Sequence, residues 1–553
     1  MPSPTRRPSG RLGARVTSGR LPRRVWLAAA GVFALAVVVR FLDTRGLPND
    51  HFLYLAPAQQ MVTTGEWPSR DFVDPGTPAM YVVSALAQRL LGPPLFAEAW
   101  LVAIAFALSA ALTVAAAFRL SNRLWLAMAV AVAQMALFPR SYHYPKYLVY
   151  AWLALALIAY LHAPTRRRAA RLALVVVVGF LFRHDHGVYA GVAVAIAVLL
   201  AGPWDRAAVQ RVGTVAGFAL AFVAPYLAFV SSTTGLIRHV SGGVAYSAAE
   251  STRTSLGVPT LPWHELLTAD GRLIGYFYLL HLLPLAALGL LYLRWRQASP
   301  EVSRVEAVTV VSLVALTVAL NVAMLRKPLD ARLPDVAVSA GLLLAWMLPV
   351  TWRLRPRLLL RPAAVAAAAV ALRLVYQVGD PLTHLERTEL LERPGRPLFL
   401  INLHADELNA RFDPHMFSSW VMEELLPFFK YVERCTSPAQ RLFVAGDLPE
   451  IYVLARRPFA GGQPALRGGL FTTVADQQRL VAKMSGQDVP LAIVDPDGDA
   501  PSFHTVMQEL ETRFDRVGDV PMRREGRSRL LVLVNRAAAP AGIDAATGWP
   551  CFR

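Results

Sequence analysis

Long apolar runs alternate with short arginine-bearing gaps through the first two thirds of this chain, and mixed polar sequence follows. The first run covers residues 25–39. The others cover 97–118, 124–138, 147–162, 172–182, 188–201, 212–232, 273–293, 305–324, 336–352 and 362–377. A helix needs about 20 apolar residues to cross a bilayer, so the pattern predicts eleven spans, several of them short. The gaps support the count. Arg119 and Arg123 follow the second run, and Arg166, Arg167, Arg168 and Arg171 follow the fourth. Arg206 and Arg211 follow the sixth, Arg294, Arg296 and Arg304 the eighth, and Arg353, Arg355, Arg357 and Arg361 the tenth. Cations thus recur in every second gap, as the positive-inside bias requires of cytoplasmic loops. The polar tail 1–24 reads as disordered and cytoplasmic, and an odd number of spans puts the C-terminus outside.

Two segments bear on this parity. Residues 77–91 carry Ser84, Gln88 and Arg89 and fall short of a span, so they read as an interfacial helix. Residues 172–182 and 188–201 are kept separate, because one continuous helix would hold Arg183, His184 and Asp185 at mid-membrane, where charge is expensive.

Beyond residue 377 the pattern changes. Residues 397–403, 441–444, 489–494 and 530–534 are short apolar runs of strand type, with helical stretches at 417–432, 449–455, 473–484 and 503–514. Such alternation predicts an α/β layer fold over 378–553. The expected architecture is a polytopic α-helical membrane protein with residues 25–377 in the membrane region, an outer loop at 43–96, and a C-terminal extracytoplasmic α/β domain. Both cysteines, Cys435 and Cys551, lie in that domain and could pair in an oxidising compartment.

Composition agrees. Only 17% of the 553 residues are charged, against about 25% in soluble domains. The net charge of +18 would suit a nucleic-acid partner, but its arginines sit between apolar runs rather than on a soluble basic face, which argues against one. Arg23-Arg24 precedes the first run with no small-residue cleavage site after it, so that run reads as an uncleaved anchor. There is no P-loop, Rossmann glycine fingerprint, Gly-x-Ser-x-Gly elbow or cysteine-rich zinc pattern. ATP and nucleotide sugars are therefore poor substrate candidates.

Candidate chemistry concentrates in the outer gaps. The loop 43–96 opens with Asn49-Asp50-His51-Phe52-Leu53-Tyr54 and later carries Asp71 and Asp74. Asp50 is either the N-cap of an amphipathic helix or a carboxylate held at the membrane surface as a general base. Arg140, His143 and Lys146 occupy a second outer gap. Arg183-His184-Asp185-His186 occupies a third, against the expected shortage of cations outside. That tetrad could bind a phosphate or a sugar, could ligate a divalent metal through His184, Asp185 and His186, or could be a polar cap satisfied by Asp–Arg pairing.

Three segments together resemble the GT-C glycosyltransferases, in particular the protein O-mannosyltransferase and aminoarabinose-transferase branch. The first is Asp50 and Tyr54 after the first span, followed by Gly65-x-x-Pro68 and Pro75-x-x-Pro78-x-x-Tyr81. The second is Arg326-Lys327-Pro328-Leu329-Asp330-Ala331-Arg332-Leu333-Pro334, similar to the family's Arg-Tyr-Leu-Leu-Pro segment but without the tyrosine. The third runs from Phe443 through Gly446-Asp447-Leu448-Pro449 to Pro458 and is similar to the outer domain that ends many bacterial members. The resemblance implies an inverting transfer of a hexose or pentose from a polyprenyl-phosphate donor to an acceptor hydroxyl, at the outer face of a bacterial inner membrane. It implies Asp50 as base and Arg332 and Lys327, with Arg326, Arg183 and Lys146, as holders of the donor phosphate. His51, Tyr54, Asp71, Asp74, His143, His184, Asp185 and His186 would line the substrate cavity. No cofactor is expected, a divalent metal being the open alternative. The partners would be the lipid bilayer, the lipid-linked sugar and an envelope glycan, lipid or protein acceptor. A polysaccharide polymerase or ligase shares the many spans but would carry its large outer loop late. A lipid or sugar transporter would show broken helices in matched halves. A non-catalytic scaffold would leave Asp50 without a role.

Overall fold

Where lipid replaces water, every backbone polar group must be satisfied within its own segment, and runs of Ala, Leu and Val achieve this as helices. The computed structural model describes residues 20–44, 47–254, 257–260, 264, 268–297, 302–326, 328–355, 357–410, 420–524 and 527–553. Most of the tail 1–24 and Lys327 lie outside the described residues. The helices are, in order, α1 (Arg23–Leu42), α2 (Asn49–Thr64), α3 (Pro78–Leu91), α4 (Pro94–Ser121), α5 (Leu124–Ala136), α6 (Tyr144–His162), α7 (Arg166–Phe182), α8 (His184–Leu200), α9 (Arg206–Thr233), α10 (Leu236–Arg253), α11 (Ala269–Arg296), α12 (Arg304–Ala323), the single turn α13 (Leu329–Arg332), α14 (Ala337–Thr351) and α15 (Arg357–Gly379).

Each of the eleven apolar runs falls on one of these helices to within two residues. Among the described residues, eight helical segments are long and apolar enough to cross a membrane: α1, α4, α6, α9, α11, α12, α13 with α14, and α15. Helices α5 and α8 are apolar but shorter; at 1.5 Å per residue α5 reaches only about 20 Å. The break between α7 and α8 is a single residue, Arg183, in extended conformation. Residues 236–253, inside the predicted outer loop 233–272, form the additional helix α10.

Helices α4, α6 and α14 make the buried centre, and α9 and α15 lie at the periphery. The peripheral helices expose Leu220, Phe222, Leu359, Val365 and Leu372. Contiguous apolar surface of that kind needs an apolar surround, which the acyl chains of a bilayer provide. Helix α1 runs along α4, and the buried Ala29, Ala36, Ala99, Ala103, Ala107 and Ala110 permit the close backbone approach typical of membrane helices.

The C-terminal part continues with α16 (Pro381–Arg387), α17 (Pro397–Asn409), α18 (Trp420–Cys435), β1 (Leu442–Ala445), α19 (Glu450–Ala455), α20 (Val474–Ser485), β2 (Leu491–Val494), α21 (His504–Arg513), β3 (Phe514–Arg524), β4 (Arg527–Asn535), β5 (Gly542–Ile543) and β6 (Pro550–Cys551). The main sheet has the order β1-β2-β4-β3. Strand β1 pairs parallel with β2, Leu442 opposite Leu491, and β2 pairs antiparallel with β4, Leu491 opposite Val534. Both parallel strands are buried along their length, which is why they read as unbroken apolar runs.

Two expectations are corrected here. Residues 397–403 are not a strand but the start of α17, which packs on α1 and α4. Leu400, His404 and Leu408 are its buried residues, a spacing of four that a seven-residue window hides. Strand β3 went unpredicted. It is an edge strand with two register shifts and Pro521 within it, so its alternation is broken.

Cys435 at the end of α18 and Cys551 in β6 are disulfide-bonded, 116 residues apart in sequence. Closing a loop of that length restricts the unfolded chain. Replacing both cysteines by serine is expected to destabilise the C-terminal domain by about 2–5 kcal/mol, measured as a lower temperature for loss of protease resistance. Unchanged resistance would mean that packing alone holds α18 to β6.

Candidate active site

Pro48, in extended conformation, precedes α2 as its N-cap, so Asp50 is the second residue of the helix and not its cap. A carboxylate in a first turn is favoured by the unpaired N–H groups there. The Asp50 carboxylate pairs instead with the C-terminal domain, its Oδ1 accepting from Arg467 Nη2 at 2.7 Å. The same guanidinium lies with Nε 2.7 Å from Asp447 Oδ2. Asn49 Nδ2 donates to the Asp447 carbonyl at 2.9 Å. Burial would lower the Arg467 pKa, but the Asp447 and Asp50 carboxylates outweigh it and hold the guanidinium charged. Burial pushes the Asp447 carboxyl above its usual range in spite of Arg467.

One helical turn beyond Asp50, Tyr54 enters a small, partly open cavity that is also lined by Met80, Tyr142, Lys146, Arg183 and His186. Tyr54 is within electrostatic reach of both Asp50 and Arg183, and burial holds its hydroxyl protonated. The loop between α1 and α4, the turn before α6 and the break between α7 and α8 therefore meet at one place. Lys146 Nζ donates to Asp335 Oδ2 at 2.8 Å. His143 Nδ1 lies 3.1 Å from Asp335 Oδ1 but is not aligned for a hydrogen bond. Arg183 Nη2 pairs with Asp185 Oδ2 at 2.9 Å, and His186 Nδ1 is hydrogen-bonded to the Tyr150 hydroxyl. Tyr147 donates to the Pro334 carbonyl at 2.6 Å, fixing α6 to the turn that carries Asp335.

Arg332 stands at the end of α13. Its charge acts on Tyr142, His143 and Lys146. Its Nε is buried without a hydrogen-bond partner, and no carboxylate pairs with it among the described residues. Arg326 makes a long hydrogen bond of 3.4 Å to Ser251 of α10.

The remaining predicted cavity residues lie elsewhere. His51 is fully buried, with Nδ1 at 2.8 Å from Ser141 Oγ and Nε2 at 2.7 Å from Glu98 Oε1, so its ring braces α2 rather than facing a ligand. Asp71 pairs with Arg70 at 2.6 Å near the surface. Asp74 accepts from the Gly76 and Thr77 amides at 2.9 and 2.8 Å and shapes the loop before α3. His184 stacks on Phe180 with ring centroids 4.2 Å apart, and its amide donates to the Gly76 carbonyl at 3.2 Å. A side chain at Gly76, where φ is +105°, would collide with the His184 ring. His184 and His186 thus face different partners and form no ligand set with Asp185. Among the described residues, one group of three donor side chains is close enough to hold a metal, Cys435, Asp544 and Cys551, and there the two sulfurs are bonded to each other.

Sequence reasoning did not single out Asp335, Arg467 or Asp447. Asp335 immediately follows the quoted Arg332-Leu333-Pro334, and Asp447 lies inside the third quoted segment. Arg467 has no local signal beyond the glycines at 461–462 and 468–469.

No protein-family model and no curated protein matches the sequence. Among solved structures, the chain is similar to the crystal structure of ArnT from Cupriavidus metallidurans bound to undecaprenyl phosphate. The identity is 16%, the TM-score 0.49, and 94% of this chain and 99% of that chain are covered. It is also similar to the apo state of the same protein, at 16% identity, TM-score 0.46 and coverages of 92% and 97%.

Proposed function

We propose that this chain is a membrane glycosyltransferase that moves a sugar from a polyprenyl-phosphate donor to an acceptor hydroxyl at the outer face of a bacterial inner membrane. The observation that carries this reading is the presence of two opposite charges near Tyr142, a residue that lines the Tyr54 cavity. The partly exposed Asp50 and Arg332, which pairs with no carboxylate among the described residues, both lie close enough to Tyr142 for their charges to act on it, between apolar helices and a polar C-terminal domain. A base and a cation with no carboxylate partner among the described residues, both acting on one tyrosine, are groups that an aqueous nucleophile and a lipid-phosphate leaving group need. Asp50 accepts the acceptor hydroxyl proton as the hydroxyl oxygen attacks the anomeric carbon. The anomeric carbon–oxygen bond to phosphate breaks on the opposite side, inverting that centre. The electron pair leaves on the phosphate oxygen, where Arg332 stabilises the growing charge, with Lys146 and Arg183 as neighbouring cations. Lys327 is assigned with them from its place in the Arg326–Pro334 segment.

The reading is tested with the purified chain in nanodiscs and a panel of labelled polyprenyl-phosphate sugars with envelope glycan, lipid and peptide acceptors. Release of polyprenyl phosphate that depends on an acceptor is expected. Folded protein that releases none with any donor sinks the assignment.

The same reading needs an odd number of bilayer crossings, eleven by the apolar runs of the sequence, so that the C-terminal domain and the Asp50 loop share the outer side. Alkaline phosphatase fused after Arg553 should be active, and a fluorescent protein that folds only in cytoplasm should be dark there. The reverse result would overturn the eleven-span topology.

A further inference from the structure

The C-terminal domain reaches the proposed base through Arg467. Arg467 is nearly buried, at 8% exposure, whereas the Asp50 side chain it holds is 41% exposed. Two contacts set Arg467 in place. Its Nε pairs with Asp447 just past the end of β1, and the adjacent Leu466 amide donates to the Gly446 carbonyl at 3.0 Å. The domain also grips the preceding residue of α2, through the hydrogen bond from Asn49 to Asp447. A contact at 2.7 Å restricts the rotamers of a half-exposed aspartate, and reaction rates are sensitive to displacements of about 1 Å.

We propose that Arg467 is a positioning residue for the reaction, which holds the Asp50 carboxylate in its working orientation and ionised, and so makes transfer dependent on the docked C-terminal domain. The proposal rests on Asp50 being the base. Among the described groups that face Asp50 are Arg467 and Asp447 from the C-terminal domain, Arg140 and Tyr142 from the turn before α6, Tyr246 from α10 and Tyr54 from α2 itself. Arg467 and Arg140 are cations among them, and Arg467 lies in direct contact, with Nη2 2.7 Å from Asp50 Oδ1. A cation beside a carboxylate favours its charged form and lowers its pKa. Loss of the Arg467 charge therefore raises the pKa of Asp50, and the acidic limb of kcat/KM moves to higher pH.

The test compares wild type, Arg467→Gln, Arg467→Lys and Asp50→Asn in transfer assays across pH, with membrane level and thermal stability recorded. Arg467→Gln is expected to lower plateau turnover on the order of tenfold to a hundredfold and to move the acidic limb up by about 1 pH unit or more. Arg467→Lys keeps the charge but loses the planar fork. It should leave the limb near its wild-type position and restore part of the turnover. A merely structural role would lower protein level and scale activity down equally at every pH, and that result overturns the proposal. So does an Arg467→Gln enzyme with wild-type plateau and limb beside an inactive Asp50→Asn, which leaves the base assignment intact. If Arg467→Gln does not accumulate, Arg467→Lys decides: a reduced plateau at unchanged stability supports the proposal, and a wild-type plateau overturns it. Wild-type transfer by Asp50→Asn removes the base assignment and this proposal together.

Discussion

Asp50→Asn should lose sugar transfer on the order of a hundredfold or more while the protein reaches the membrane at its normal level. Asparagine keeps the size and shape of the side chain and removes the charge and the proton acceptor. Two observations separate this loss from damage to the fold. Asp50 is not the cap of α2, since Pro48 occupies that position, so no cap is removed. Its ion pair with Arg467 involves a 41% exposed side chain, and exposed pairs add little stability. Arg467 in turn keeps its contact with Asp447 and is not left as an isolated buried charge. The measurement is transfer by purified wild type and variant at equal protein, with thermal stability as control. Wild-type-like transfer would return the search for a base to the other carboxylates near the cavity, Asp185 and Asp335 first.

Arg332→Ala should lower turnover by about a hundredfold to a thousandfold, the range for removing one preorganised group aimed at developing charge. Arg332 carries a charge that no described carboxylate neutralises and a buried Nε without a partner. Lys146 and Arg326 stand within reach of its field. Such crowding of like charge is unfavourable and is relieved by a bound anion. Alanine should therefore leave stability unchanged or slightly higher while activity falls. The loss should appear mainly in kcat, because charge on the departing phosphate is greatest in the transition state. Arg332→Lys restores the charge as a compact point rather than a fork and should recover part of the rate. Full activity in both variants would reduce Arg332 to an anchor at the membrane surface, its stem in lipid and its head in water.

The bundle was legible because a membrane helix reports its solvent directly: every residue in a run of about 20 must be tolerable to lipid, and no partner has to be known. The strands β1, β2 and β4 were legible for a related reason, being short and buried enough to read as apolar runs. Helix α17 was not, because seven apolar residues fit either period and only the packing of Leu400, His404 and Leu408 against α1 and α4 selects the helix. Asp50, Tyr54, Lys146, Arg183 and Arg332 were picked out by their place in outer gaps and by motif, and the fold brings Tyr54, Lys146 and Arg183 to one cavity. The same loops offered His51, Asp71 and Asp74 with equal force, and their roles in bracing α2 and shaping the loop depend on Glu98, Arg70 and backbone amides that no periodicity names.

What the sequence determines by itself is the solvent of each segment, and through it the helices and the gaps where charge collects. What only the tertiary structure decides is which charges meet. Arg467 finds Asp50 across 417 residues of chain, and Lys146 finds Asp335 across 189. Contacts at such separations leave no local pattern, because their geometry follows from how whole elements pack and not from the spacing of the residues that make them.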